Sequence, residues 1–182
     1  MDESAVTVRY AKAIFSLAKQ NDLLASLKTD MELISNVCRQ SVDFDLLLKS
    51  PVVKSSEKIR LTKLIFGEKI DSLSLDFLEL VMRNKREAFI PFICRNVLTL
   101  IRKEKNIKTA VLTTVSDMDE ATIRKAEKIL ETELGSKVEL STKVNPRMIG
   151  GVILRIDDRQ YDASIATQLK KMKQELLKTR LG

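Results

Sequence analysis

The sequence predicts an α+β protein: a bundle of six helices over residues 1–105, followed by a small α/β domain of order β-α-β-β-α over residues 106–182. Three observations carry this expectation. Apolar residues recur at helical spacing through the first hundred positions, and later segments switch to β-branched or alternating patterns. The chain also has only five Gly and three Pro in 182 residues, too few for long irregular or low-complexity tracts.

The first helix covers Ser4 to Gln20 and carries two apolar stripes: Val6, Tyr10, Ala13, Ile14 and Leu17, and beside them Val8, Ala11, Phe15 and Ala18. Together they span roughly 220° of the helix, about twice what one core face needs. Either the helix is enclosed on two sides or one stripe is left for a partner. A second helix, about Asp22 to Gln40, has Leu23, Leu27, Met31, Ile34 and Cys38 on one face. A short helix around Asp43 to Leu48 stops before Pro51, whose ring pushes the preceding residue out of helical space. Ser55 or Ser56 opens the fourth helix, with Ile59, Leu61, Leu64 and Ile65, and Gly67 closes it. The fifth, Ser72 to about Asn84, again has a wide apolar arc that includes Leu78, Val81 and Met82. Pro91 suits the first turn of the sixth, which runs through Ile93, Val97, Leu98 and Ile101 into the charged stretch Arg102 to Lys105, where the domain boundary is placed.

A β-branched strand, Ile107 to Val115, follows. Ser116 and Asp119 resemble a capping box for a helix ending at Gly135. Val138 and Leu140 alternate with Glu139 and Ser141 in a second strand, and Val152 to Ile156 repeats the pattern in a third. Asn145-Pro146 marks a turn between them, and Gly150-Gly151 permits positive φ or close backbone approach where the third strand begins. Asp157-Asp158-Arg159 has turn chemistry. Asp162 is positioned to cap a last helix with the stripe Ile165, Leu169, Met172 and Leu176.

The chemistry excluded is as informative. There is no His, and the two cysteines, Cys38 and Cys94, lie far apart without CxxC spacing. The usual general bases, activated nucleophiles and soft metal ligands are missing, and the thiols read as buried and free in a reducing compartment. Asp157-Asp158 lacks the convergent ligands of a cation site, and Gly150-Gly151 lacks the surroundings of a phosphate loop. No catalytic, cofactor or metal residue is nominated. The net charge of +7 divides as +4 over residues 1–105 and +3 over 106–182, without a basic block. The predicted strands hold no aromatic side chain on which a base could stack. Lys170, Lys171, Lys173, Lys178 and Arg180 make the last helix basic, as suits either a solvated helix end or an acidic partner helix. No run of 18 apolar residues occurs, and the acidic start Met1-Asp2-Glu3 resembles neither a signal nor a transit peptide, so a bacterial cytoplasmic or processed organellar protein is expected.

The segment Val138, Leu140, Val144, Asn145, Met148, Gly150-Gly151, Val152, Leu154, Arg155 and Asp162-Ala163-Ser164 resembles the delta subunit of F-type ATP synthase, called oligomycin-sensitivity-conferring protein in mitochondria. Arg9-Tyr10-Ala11-Lys12-Ala13 resembles the first-helix motif of the same family, so the likeness spans nearly the whole chain. Asp157 departs from it, standing where the family usually has Gly or another small or polar residue. The resemblance implies a non-enzymatic connector in the peripheral stalk, on the cytoplasmic face of a bacterial membrane and held there only through the complex. It implies that the first and fifth helices take the N-terminal helix of an alpha subunit, with Tyr10, Ala13, Ile14, Leu17, Leu78, Val81 and Met82 on that face. It also implies that the C-terminal domain engages the C-terminal region of the b subunits, for which Ile165, Leu169, Met172 and Leu176 are candidates. Gly150, Gly151, Asp162 and Ser164 are the structural motif, and no cofactor is implied. The residues taken alone also admit a basic nucleic-acid-binding module and, more weakly, a small carboxylate enzyme.

Overall fold

The computed structural model describes the backbone of residues 3–179 and the side chains of residues 5–172. The chain divides into two units, Met1–Glu104 and Lys105–Gly182.

The first unit is helical: α1 (Glu3–Gln20), α2 (Leu24–Gln40), α3 (Val42–Lys49), α4 (Ser55–Phe66), α5 (Ser72–Arg83), a 3-10 turn (Glu87–Phe89) and α6 (Ile90–Glu104). Local chemistry sets the boundaries. Ser41 caps α3 by accepting from the Phe44 N–H, and Asp71 caps α5 by accepting from the Leu73 N–H. Gly67 ends α4 in a right-handed conformation, so that stop does not use glycine's left-handed freedom. At the centre, Ile93, Cys94, Val97 and Ile101 of α6 are buried against Ala11, Ile14 and Ala18 of α1 and Leu27, Met31, Ile34 and Cys38 of α2. α1 and α6 run in the same direction, since Asn96 donates to Thr7 near one end and Lys19 pairs with Glu104 near the other.

Two polar ties cross this apolar interior. Lys58 on α4 donates to Glu87 at 2.6 Å and to the Leu48 carbonyl at 2.9 Å, joining the end of α3 to the 3-10 turn. Asp30 on α2, also buried, accepts from the Asp71 N–H and the Ser74 hydroxyl and so pins the first turn of α5. A buried carboxylate is tolerated there because both donors compensate its lost hydration.

The second unit is β1 (Ile107–Thr114), α7 (Glu120–Leu134), β2 (Lys137–Val144), β3 (Gly151–Ile156), β4 (Arg159–Ser164) and α8 (Ile165–Thr179). The sheet order is β2-β1-β3-β4, with β1 and β2 parallel and the other pairs antiparallel. The expected β-α-β-β-α order therefore needs correction: a fourth strand occupies the segment read as a turn and a cap. Its sequence, Arg159 to Ser164, has no apolar alternation because residues 159–163 are exposed whichever face they take, and hydrogen bonding in register to β3, not burial, holds it.

Asp157, the departure from the family pattern, sits in the β3–β4 turn at φ +48°, in left-handed space that Gly also favours. Its carboxylate accepts from the Thr109 N–H and hydroxyl, which ties the turn to β1. Two caps are also corrected. Asp119 alone caps α7, accepting from the Thr122 N–H, and Ser116 takes no part in that contact. The hydroxyl of Ser164, not Asp162, accepts from the Thr167 N–H at the start of α8.

Candidate functional site

The wide apolar arc of α1 is divided by the fold. Ala11, Ile14 and Ala18 go inward, whereas Ala13 and Leu17 are exposed and Tyr10 is half-buried. On α5 the division falls differently from the sequence expectation. Leu78, Val81 and Met82 are core residues, at 2%, 0% and 0% exposure, and the outward side is Leu73, Asp76 and Leu80, with Phe77 at its edge. Leu78, Val81 and Met82 are thus corrected from contact face to core. Hydropathy alone did not separate the two sides, because both carry large apolar residues; Ser74, which donates to the buried Asp30, lies on the same inward side as Leu78, Val81 and Met82.

Between these faces lies an open groove of about 620 Å³. Val6, Tyr10, Ala13, Ile14 and Leu17 line it from α1, and Leu73, Phe77 and Leu80 from α5. Tyr10 and Phe77 meet edge to face at 6.3 Å between ring centroids, and the Asn84 amide donates to the Tyr10 hydroxyl at 3.1 Å. The Tyr10 ring is thereby held in place with one side facing the groove, which lowers the entropy cost of contact. Three charged side chains border the apolar floor: Arg9, Arg86 and Asp76. Asp76 and Arg86 were not singled out by the sequence, where each is one charge among many, and Arg9 entered only as part of the first-helix motif.

In the second unit, Ile165, Leu169 and Met172 lie on the exposed side of α8, Leu169 at 54% and Met172 at 59%; the side chain of Leu176 lies outside the described residues. The glycine pair explains how this helix is set. Gly151 has φ +82°, and a side chain there would run into the Ala163 carbonyl on β4; one on Gly150 would strike Ile165. The Ile165 N–H donates to the Gly150 carbonyl, so the first turn of α8 docks directly on the start of β3. Asp162 braces the junction from β4, accepting from the Ser164 N–H and the Thr167 hydroxyl. Those hydrogen bonds, from Ser164 first, hold its carboxyl below the usual range.

Reactive chemistry is sparse. Cys38 and Cys94 are buried and free, and burial pushes the Cys38 thiol up to about 11 and that of Cys94 higher still. Among the described residues no three His, Cys, Asp or Glu side chains gather as a metal site, and no helix is long and apolar enough to cross a membrane.

Residues 6–176 match the family model of the ATP synthase delta (OSCP) subunit. The chain is 35% identical over 180 residues to the ATP synthase subunit delta of Parabacteroides distasonis, covering 99% of this chain and all of the relative. It is 31% identical over 173 residues to that of Cytophaga hutchinsonii, covering 95% and 94% of the two chains. A chain of the Toxoplasma gondii mitochondrial ATP synthase has the same fold, with a TM-score of 0.78 at 24% identity over 94% of this chain and 97% of that one. The protein belongs to the ATP synthase delta (OSCP) subunit family.

Proposed function

We propose that the chain works as the peripheral-stalk connector of a bacterial F-type ATP synthase. The alpha subunit's N-terminal helix would lie in the α1–α5 groove, and the C-terminal region of the b subunits would engage the unit beginning near residue 106, with Leu169 and Met172 at the contact. The subunit would meet the membrane only through the complex, on its cytoplasmic face. The groove is the observation that carries this reading: an open apolar trough between two helices, with a fixed aromatic side chain on its wall, suits the apolar face of an amphipathic helix.

The function asks for stiffness and not for reactivity. Rotor torque would turn the catalytic head unless something static held it, and a connector does this by binding at two places without yielding between them. A continuous apolar core around α6 and buried polar ties such as Lys58–Glu87 suit that task. Nucleic-acid binding finds no support by comparison. Tyr161 is the one aromatic residue in the four strands, and no basic block accompanies it.

The test is calorimetric titration of the full chain with a synthetic peptide of the first 20 or so residues of the same organism's alpha subunit. One-to-one binding is expected, and absence of binding at high micromolar peptide refutes the assignment. In parallel, Leu169→Asp with Met172→Asp should weaken capture of a soluble b-subunit fragment and leave the peptide titration unchanged; unaltered capture removes α8 from the b contact.

A further inference from the structure

The groove has an electrical polarity. Arg86 stands just before the 3-10 turn that feeds α6, and α6 starts beside the start of α1; Asn84, two residues earlier, reaches Tyr10. Arg86 therefore lies at the end of the groove where α1 begins, and Arg9 borders that end from α1. Asp76 precedes Asn84 by eight positions on α5, about 12 Å along the helix axis, toward the opposite end. Among the described residues none of these three side chains has an ion-pair or hydrogen-bond partner within the protein, although Lys63, Glu79 and Arg83 on neighbouring surface are paired with one another. Two guanidinium groups and one carboxylate thus border an apolar floor with their charges uncommitted.

We propose that Arg9, Arg86 and Asp76 select the helix that docks here and set its direction and register. This rests on the groove being a helix-docking site. The occupant is an amphipathic partner helix whose apolar stripe is flanked by an acidic side chain facing Arg9 and Arg86, and by a basic one about two turns away facing Asp76. The apolar floor supplies most of the affinity but cannot tell one direction from the other, since a stripe of aliphatic residues reads much the same reversed. Opposite charges at the two ends make the reversed helix place acid against Asp76 and base against the arginines, which is how rim charges suppress wrong pairings.

The experiment uses the full chain and two probes: the alpha-subunit N-terminal peptide, and a copy in which its acidic and basic residues are exchanged. Asp76→Lys, the pair Arg9→Glu with Arg86→Glu, and the triple variant are compared with the unaltered protein by stopped-flow association at low and high salt. Each reversal should weaken the natural peptide roughly fivefold at low salt, mainly through slower association, with the difference shrinking at high salt. The triple variant should prefer the exchanged peptide. Changes below twofold, or losses independent of salt, overturn the proposal. Leu80→Asp separates the two levels: if it abolishes binding while the charge variants do nothing, the groove docks a helix but these charges do not orient it. If Leu80→Asp leaves binding intact, the docking reading fails and the orientation proposal fails with it.

Discussion

Ala13→Asp tests the groove most directly, because the fold separates its effect on stability from its effect on binding. Ala13 lies on the exposed side of α1 between Tyr10 and Leu17, and the groove wall includes it. In the free protein the new carboxylate stays in water, so the cost is the poorer helix propensity of Asp, about 0.5 kcal/mol. For a domain of this size that lowers the melting temperature by roughly 2–4 °C. Under a docked apolar helix the same carboxylate loses its water without gaining a partner, which costs about 3 kcal/mol or more. That corresponds to a dissociation constant weaker by a factor of roughly 150. Differential scanning calorimetry of the variant, paired with titration by the alpha-subunit peptide, reads both quantities. Normal affinity with normal folding would refute the groove as the docking surface, and a large loss of stability would mean that this side of α1 packs internally. Met82→Ala is the matching control: Met82 is fully buried, so truncation should cost about 2–5 kcal/mol of stability, while the folded fraction binds the peptide as before.

Other parts of the fold make separate predictions. Lys58→Met should lower the urea midpoint by an amount equivalent to about 3–5 kcal/mol, because Glu87 would remain buried without its cation, one of its oxygens already lacking a partner; adding Glu87→Leu should recover most of the loss. Gly151→Ala should destabilise the second unit by about 1–3 kcal/mol in chemical denaturation, since φ +82° and the Ala163 carbonyl both oppose a side chain, and an unchanged midpoint would contradict that geometry. Cys38 and Cys94 should resist thiol reagents at pH 8 in the native state and react fully in 6 M guanidinium, as burial keeps both protonated; rapid native labelling would show that α2 or α6 opens locally. The depressed Asp162 carboxyl contributes stability that is complete above its unfolded value near 4, and this is lost as pH falls through the lower folded-state value. Melting temperatures between pH 5 and 2.5 should therefore fall more steeply for the unaltered protein than for Asp162→Asn, and parallel curves would exclude that contribution.

Much of this protein was legible in its residues. Periodicity and the scarcity of Gly and Pro identify a helical first part, and β-branched alternation identifies a sheet in the second, because in both cases burial of one face imposes the period. Gly151 marks a place where backbone must approach backbone, as the Ala163 carbonyl beside it bears out, while at Gly150 the space is taken by the Ile165 side chain. β4 left no such trace: its residues 159–163 are exposed on both faces, so nothing imposes an apolar period on them, and pairing to β3 holds the strand. Sequence likewise determined that α1 and α5 carry more apolar surface than one core requires, but not which side of α5 faces out. Asp30, 41 residues away from Asp71, accepts from the Asp71 N–H and the Ser74 hydroxyl on the side of α5 that also buries Val81 and Met82. Helical period records how much surface must be buried. The direction of burial is set by long-range partners, and only the tertiary structure brings those together.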